Sequence, residues 1–409
     1  MAKPTRNLLI FVSDIHLTEQ PPLGGVPRAA LFERFWTRIA DARGEVPAHL
    51  VFVGDLFDIV RSPRWFAGPH RPYHPPNLGQ MAVVDQIIAE ILRVEAAFFT
   101  AMRLRVQAGV LQVSTILGNH DRLLAFAPKS RRLIWQALTG VDREVDFADE
   151  MVFPQHGVLA YHGNRADFMC YMPDNAANMG DAIGSELIVR LPMLMRAKLG
   201  VELPELDEID DVRPIFAVPS WVRHFGTRRE GMMDAIAKSW RELVDDFLEN
   251  PFLDEWTRQQ DSHGASEARK LKLLLTLSNS RLMRKTSDHR LVQVYQHLQQ
   301  YFDGRFAKYA ADLLQSPGYY GLRHVVNGHS HFASMVPLGL LRGRPATYFN
   351  TGSWRTVHQM GRLLDGRPAF LKYEAMSYLV FFPDGDLLGR EFEWWTGALV
   401  PTKYTQVHE

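Results

Sequence analysis

The sequence is poor in cysteine, because Cys170 is the single one among 409 residues. One cysteine excludes an internal disulfide and any metal site built from several thiolates, and it suits a reducing compartment. The chain also lacks a net charge, since 46 basic side chains are matched by 46 acidic ones. Balanced charge gives no strong sign of a partner that is held by bulk positive charge, such as nucleic acid.

Long hydrophobic runs are lacking as well, and no segment reaches the length of a transmembrane helix. The N-terminal run Leu8–Val12 follows Lys3 and Arg6, but it is shorter than the apolar core of a signal peptide. It is better interpreted as a first buried strand. We therefore expect a cytoplasmic protein without a transmembrane segment.

What the sequence does contain is a series of short Asp, His and Asn clusters, each after a run of β-forming apolar residues. These clusters are Asp14-x-His16, Gly54-Asp55, Gly118-Asn119-His120-Asp121, His162 and Gly328-His329-x-His331. Strand ends are where an α/β sheet opens towards a ligand, so we expect these side chains to meet. Carboxylate, imidazole and amide groups suit a pair of borderline divalent metals. The sequence thus predicts a two-metal hydrolase.

In this order, the clusters resemble those of the calcineurin-like metallophosphoesterase superfamily. The resemblance covers residues from about 6 to 170 and from about 320 to 400. It implies an α/β fold in which two mixed β-sheets pack as a sandwich flanked by helices, the four-layer metallophosphoesterase fold. Residues 1–170 and 321–409 would form this core, and 171–320 a large helical insertion or cap beside the site. The alternative for the insertion is a solvated helical bundle without substrate contact.

The resemblance also implies two cations, one of their ligands being shared. The implied ligands are Asp55 for both cations, Asp14, His16 and His331 for one, and Asn119, His162 and His329 for the other. These donor types favour manganese, iron, zinc, cobalt or nickel over calcium, and manganese is the first choice. A water or hydroxide bridging the two metals would have a pKa near neutrality and attack phosphorus in line.

His120 is the candidate general acid, because a turn after Asn119 can hold its ring over the substrate phosphorus instead of on a metal. Protonated, it would donate to the departing alkoxide. Asp121 either holds and charges that imidazole or caps the following helix, and the sequence leaves both open. Asp58 could order the loop below Asp55, hydrogen-bond a ligand histidine, or lie in a surface turn.

Other polar residues close to the clusters could contact the substrate. The candidates for phosphate or substrate contact are Arg61, Arg122, Asn164 and Arg165. Asn350 and Trp354 either lie near the site or form a buried turn. His70 and His74 lack a carboxylate at ligand spacing, and Cys170 lacks an adjacent activating base. We interpret the last three as structural, with Cys170 in the core.

Apolar spacing predicts alternating strands and helices up to about residue 117 and a strand-rich C-terminal part. The predicted strands are 8–12, 49–53, 110–117, 157–161, 322–327, 347–349, 378–382 and 390–395. The predicted helices are 28–42, 81–106, 181–199, 231–248, 265–277 and 289–314. The last four helices make up the insertion.

The expected function is hydrolysis of a phosphoester, such as a phosphodiester or pyrophosphate. Residues Gly54 to Asp58 resemble a block in bacterial pyrophosphohydrolases that act on acylated UDP-glucosamine, so a nucleotide or nucleotide-sugar lipid is a candidate substrate. The same block resembles that of DNA-repair exonucleases, which makes a DNA exonuclease or endonuclease the alternative. Such nucleases usually have a short interval between the two clusters that correspond to His162 and to Gly328-His329-x-His331. This chain has a large domain in that interval, which makes the nuclease the second choice. A non-catalytic scaffold on this fold is a third hypothesis, although scaffolds normally lose metal ligands.

Overall fold

The computed structural model describes residues 7–20, 25–199, 208–209, 211–213, 221, 232–260, 269, 272, 275, 304–362, 368–383, 386 and 388–399. These residues form an α/β fold with two mixed β-sheets. None of the helices in these ranges combines the length and the apolar character needed to cross a bilayer.

The first sheet contains the N-terminal strands and the end of the chain. Its strands are β1 (Leu8–Val12), β2 (Ala48–Val53), β3 (Leu111–Ile116), β6 (Val212–Arg213), β10 (Thr356–Arg362), β11 (Pro368–Phe381) and β12 (Phe392–Leu399). Their order is β3-β2-β1-β11-β10-β6, and β12 pairs with β11. Strands β1, β2 and β3 run parallel, whereas β11 is antiparallel to β1, β10 and β12.

The second sheet has the order β4-β5-β7-β9-β8. Its strands are β4 (Glu150–Phe153), β5 (Val158–Tyr161), β7 (His324–Asn327), β8 (Ala333–Leu341) and β9 (Arg344–Thr351). Strands β5, β7 and β9 are parallel, and the two outer pairs are antiparallel. Each predicted strand overlaps an observed one, while β4, β6, β8 and β10 are not predicted by the apolar pattern.

Apolar side chains from both sheets share one buried cluster, which includes Phe11 and Val51 from the first sheet and Ala160 and Phe349 from the second. The other face of the first sheet packs on four helices: α1 (Arg28–Arg43), α2 (Leu78–Val94), α3 (Ala96–Gln107) and α4 (Pro128–Thr139). The other face of the second sheet packs on helical residues 304–315. The order helix, sheet, sheet, helix is consistent with a sandwich, and it explains why β1 and β5 are apolar at every position.

The sequence predicts one helix over 81–106, but two are observed. Helix α2 ends and α3 begins around Glu95, whose φ of −95° and ψ of 21° are not helical. Glu95 lies four residues after the buried Ile91 and three before the buried Phe98. A straight helix would therefore put this carboxylate in the apolar stripe, and the break removes that conflict.

The insertion contains α5 (Met179–Ile183), a π-helical segment (Gly184–Val189), α6 (Arg190–Leu199), α7 (Met232–Leu248) and α8 (Pro251–Gln259). It has its own apolar cluster, to which Tyr73 and Met360 contribute from outside the insertion. The predicted helix 265–277 lies outside the described residues, apart from 269, 272 and 275, as does 289–303. The predicted domain boundaries at 171 and 320 stay a prediction. Residues 171–320 contact both sheets, because β6 pairs with β10 in the first sheet and helical residues 304–315 pack on the second.

Candidate metal centre

The seven predicted ligands follow five strands, β1, β2, β3, β5 and β7, at their carboxyl ends. The first three strands are parallel neighbours in one sheet, and the last two are parallel neighbours in the other. Because the sheets face each other, all five strand ends open at the same edge. Residues that lie as far apart in sequence as Asp14 and His331 are brought within 3.3 Å there, between Asp14 Oδ1 and His331 Nε2.

The first group of ligands consists of Asp14, His16, Asp55 and His331. One ligand atom of each lies within 4.8 Å of the others. The His16 Nε2 atom is 3.7 Å from Asp14 Oδ1 and 3.6 Å from Asp55 Oδ2. It is also 3.1 Å from His331 Nε2. Two carboxylates and two imidazoles therefore converge on one small volume.

The second group consists of Asp55, Asn119, His162 and His329. The Asn119 Oδ1 atom lies 3.1 Å from His162 Nε2 and 2.9 Å from His329 Nδ1. The same His162 nitrogen is 3.1 Å from Asp55 Oδ2. This Asp55 oxygen thus faces both groups, so all seven predicted ligands are brought together, with the shared position where the sequence predicts it.

One oxygen of each carboxylate is fixed by the main chain, and the other is not hydrogen-bonded. The His329 amide donates to Asp14 Oδ2 (2.9 Å), and the His120 amide donates to Asp55 Oδ1 (2.8 Å). From the part of the chain that the structure describes, the buried atoms Asp14 Oδ1 and Asp55 Oδ2 accept no hydrogen bond of acceptable geometry. Buried anionic oxygens are costly without a partner, and a cation in the volume that they face would supply it.

The charge balance of the site also fits a cation. Burial raises the pKa of Asp55, but the neighbouring His162, His120 and His16 outweigh burial and lower it. Burial lowers the pKa of His162, yet Asp55 and Asp14 raise it to about 10. The two buried carboxylates are stabilised by a neighbouring positive charge, which either a proton on His162 or a metal ion can supply. Binding of a metal ion to His162 would displace that proton.

Backbone strain is concentrated at the predicted ligands. Five of them have φ values in the left-handed region: Asp14 (52°), His16 (49°), Asp55 (52°), His329 (71°) and His331 (63°). For a residue with a side chain this conformation costs of order 1–3 kcal/mol, and it persists where the surroundings impose it, as they do at ligand clamps. The strain points to a functional site at these strand ends.

Two glycines allow the ligand loops to approach each other. A β-carbon at Gly118 would overlap the Asp55 carboxylate, and one at Gly328 would overlap the Asp14 carboxylate. Each glycine directly precedes a ligand, Asn119 or His329. The Gly-Asn-His and Gly-His-x-His patterns thus have a steric reason, since only glycine fits against a neighbouring carboxylate.

Two ligand histidines are oriented by groups outside the site. The Nδ1 atom of His162 lies 2.8 Å from the Val53 carbonyl oxygen, so its Nε2 faces the ligands. The Nε2 atom of His329 lies 3.0 Å from Asp167 Oδ2, so its Nδ1 faces them. Such partners fix the tautomer and raise the basicity of a ligating imidazole. Sequence reasoning missed Asp167, for which the only signal is its position five residues after His162.

Cys170 is not a core residue, contrary to the sequence interpretation. It is partly exposed, and its sulfur lies within 4.8 Å of atoms of Asp167 and His329. Burial and the nearby carboxylate of Asp167 raise the pKa of this thiol well above its usual value. A protonated thiol is a poor nucleophile, so the structure gives Cys170 no nucleophilic role.

His120 is held by Asp58 and not by Asp121. The His120 Nδ1 atom is 2.8 Å from Asp58 Oδ1, and the other oxygen of Asp58 is 3.1 Å from Nδ1 of His16. Asp58 therefore links the candidate acid to a ligand histidine, which is one of the alternatives left open by the sequence.

The hydrogen bond to Nδ1 of the His120 ring comes from Asp58 and not, as expected, from Asp121, whereas Asp121 does occupy the N-cap position of the following short helix, the other alternative. The Asp121 carboxylate accepts hydrogen bonds from the backbone amides of Gly118 (2.6 Å) and Leu56 (2.9 Å). It makes no side-chain hydrogen bond to the short helix that follows. Asp121 instead fixes the loops that carry Asp55 and Asn119 relative to each other.

Of the four candidate substrate contacts, Arg61 lies beside the site. Its Nη2 donates to Nε2 of His120 at 3.1 Å, and its Nη1 lies 3.7 Å from Asp58 Oδ2. Burial and, to a smaller extent, the positive charge of Arg61 lower the pKa of His120 to about 4, against the raising effect of Asp58. His120 is therefore neutral at pH 7, with Nδ1–H towards Asp58 and Nε2 towards Arg61.

The other three candidates have partners elsewhere. Arg122 donates to Asp181 Oδ2, and its remaining nitrogens donate to the carbonyl oxygens of Asn175 and Pro72. Arg165 pairs with Glu150 in β4. The Asn164 side chain donates a long hydrogen bond of 3.4 Å to the carbonyl oxygen of Cys170. Arg122 and Arg165 are thus engaged by other protein groups, because proximity in sequence does not fix the direction of a long side chain, and their contact with substrate stays a prediction.

Asn350 and Trp354 support the ligand loops from behind. Asn350 donates to the carbonyl oxygen of Gly328, and the Trp354 amide donates to the carbonyl oxygen of Asp14. Both side chains are buried, in agreement with a structural turn. Within the described residues, His70 and His74 belong to no cluster of metal-ligand type.

Comparison with models of protein families and with curated proteins produced no match. The donor set itself fits divalent transition metals, since it combines carboxylate, imidazole and amide donors with second contacts that orient the imidazoles. Asp14, His16, Asp55 and His331 could hold one cation, and Asp55, Asn119, His162 and His329 the other.

Proposed function

We propose that this protein is a phosphoester hydrolase of the calcineurin-like metallophosphoesterase superfamily that depends on two divalent cations, manganese being the first to test. The observation that carries the proposal is the Asp55 Oδ2 atom, buried and facing imidazoles of both ligand groups. A shared carboxylate between two sets of nitrogen and oxygen donors is what a two-metal hydrolytic site requires. The order of the ligand clusters along the chain supports the family.

When bound, the cations would activate a water for attack on phosphorus and stabilise the charge on the phosphoryl oxygens. The protein's own side chains would do the rest. Arg61 is placed to bind a phosphoryl oxygen, because its guanidinium lies beside His120. In the substrate complex, His120 would exchange the hydrogen bond from Arg61 for one to the leaving oxygen, take up a proton from solvent at Nε2 and donate that proton to the leaving oxygen. A phosphoryl anion at Nε2 raises the pKa of the imidazole from its low value, which favours this protonation.

The substrate is proposed to be a phosphodiester or a pyrophosphate, and nucleotides and nucleotide-sugar lipids are the compounds to test first. A DNA nuclease would use the same ligands, so hydrolysis of DNA distinguishes that alternative. A scaffold would purify without stoichiometric transition metal, whereas the hydrolase should hold up to two ions per chain.

The experiment is metal analysis and turnover of wild type and Asp55→Ala. Wild type should contain manganese and hydrolyse a chromogenic phosphodiester, and Asp55→Ala should lose metal from both sites because the shared ligand is gone. Asp146→Ala is the control, since that side chain is 94% exposed. Full occupancy in Asp55→Ala would contradict the shared position. A wild type that binds no metal would overturn the proposed function.

A further inference from the structure

A cavity of about 120 Å³ lies between the loops next to the candidate metal centre and the helical insertion. Asp58 and Arg61 contribute to one wall, and both side chains contact the His120 ring. Glu19, on the same wall, is already engaged by Ser62 and Arg64. The polar wall of the cavity is thus part of the surroundings of the candidate acid.

The opposite wall comes from the insertion and is mainly apolar, although Arg196 of α6 also lines it. Ile188 and Val189 at the end of the π-helical segment and Pro192 and Met193 in α6 line it. Ile188 and Pro192 are four residues apart, as are Val189 and Met193, so these side chains share one helix face. Val189 and Met193 are partly exposed, which leaves them accessible from the cavity.

The insertion approaches the site closely at this point. A β-carbon at Gly184 would lie 3.4 Å from Val60 Cγ1 and 3.7 Å from Arg61 Cγ. Gly184 begins the π-helical segment, and π-helical turns are frequent at functional sites. The backbone of the insertion therefore passes directly beside the guanidinium that contacts His120, and the next turns of the helix form the cavity wall.

We propose that this cavity is the subsite for the leaving group of the substrate, an inference that rests on the proposed function. A leaving oxygen that receives its proton from His120 must lie next to Nε2 of that ring, on the side of Arg61, and the organic group attached to it then extends past Arg61 towards the insertion. The apolar wall selects a compact, apolar leaving alcohol, such as an aromatic ring. For comparison with the cavity of about 120 Å³ here, an apolar protein cavity of about 150 Å³ accepts benzene. Val189 and Met193 are specificity-determining residues.

The test compares two methyl aryl phosphates, the p-nitrophenyl and the larger nitronaphthyl ester, whose aryl oxide is the leaving group. Met193→Ala should enlarge the cavity and raise the ratio of kcat/KM for naphthyl over phenyl by about tenfold, within the range for small changes in an apolar pocket. Val189→Phe should fill the cavity and raise KM for the phenyl ester by a similar factor at unchanged metal content. Val141→Phe is the control, because Val141 is exposed and does not line the cavity.

A second readout does not need turnover: binding of p-nitrophenol to the manganese-loaded protein, measured by calorimetry. Val189→Phe should weaken this binding by about tenfold. If wild type hydrolyses both esters and neither variant changes the ratio, KM or phenol binding, the subsite is refuted while the proposed function stands. If wild type hydrolyses neither ester, the proposed function loses support. In that case the binding measurement still decides on the cavity: a weaker binding of p-nitrophenol to Val189→Phe than to wild type would identify it as a ligand site.

Discussion

Replacing Asp58 by Asn should disable the candidate acid without removing a metal ligand. The Asp58 carboxylate serves two imidazoles, His120 Nδ1 at 2.8 Å and His16 Nδ1 at 3.1 Å. An asparagine side chain keeps one acceptor oxygen and puts an N–H₂ group in place of the other. One of the two imidazole N–H groups would then face a donor, and its ring would lose its fixed tautomer or orientation.

The magnitude follows from the hydrogen bond that is lost. A hydrogen bond to a charged group contributes about 1.5–3 kcal/mol, and each 1.4 kcal/mol is tenfold, so kcat/KM should fall by about 10- to 150-fold. If the unsupported ring is His16 instead, the affinity for one metal should fall by about 10- to 100-fold. The dependence of turnover on manganese distinguishes the two cases. Added manganese should restore turnover if the His16 ring is unsupported, but not if the His120 ring is.

The assay is the kinetics of wild type and Asp58→Asn with methyl p-nitrophenyl and methyl phenyl phosphate over a range of manganese concentrations. In Asp58→Asn, kcat/KM should fall more for methyl phenyl phosphate than for the p-nitrophenyl ester, because departure of the unactivated phenyl oxygen depends more on protonation. Asp146→Asn, at an exposed carboxylate, controls for charge. Wild-type kinetics and metal affinity in Asp58→Asn would refute the idea that Asp58 positions these rings.

Two other substitutions test neighbouring parts of the site. His120→Ala should retain metal and lose turnover of the unactivated ester by about 10²–10⁴-fold, and equal kcat in variant and wild type would exclude His120 as the donor. Asp181→Ala leaves the buried guanidinium of Arg122 without its carboxylate, so the free energy of unfolding in urea should fall by about 3–5 kcal/mol. Asp142→Ala, which removes an exposed partner of Arg132, is its control and should change little.

Parts of the fold could be predicted because local patterns are strong there. The first strand, Leu8–Val12, is predicted and observed with the same bounds, since a strand covered on both faces is apolar at every position. The two-residue strand β6 has no such pattern and exists only through its pairing with β10. Glu95 shows the reverse error, because the apolar spacing continues across a residue whose backbone is not helical.

The side chains that support the ligands could not be assigned from the sequence. Asp121 is next to His120 in the chain, yet its carboxylate binds the amides of Gly118 and Leu56, while Asp58, 62 residues away, reaches the ring. Asp167 became a partner of His329 only because β5 and β7 are neighbours in the second sheet. Adjacency in the chain does not set the direction of a side chain.

The sequence by itself determined which donors are available, and that each follows a buried strand, because both properties are written in short stretches of residues. It therefore determined the set of seven candidate ligands that the structure gathers at one edge of the sheets. Tertiary structure alone decided which carboxylate oxygens are fixed and which face the ligand volume, and which aspartate holds His120. It also decided that the insertion walls a cavity beside Arg61. These properties depend on distances between segments that only the packing of sheets and helices sets.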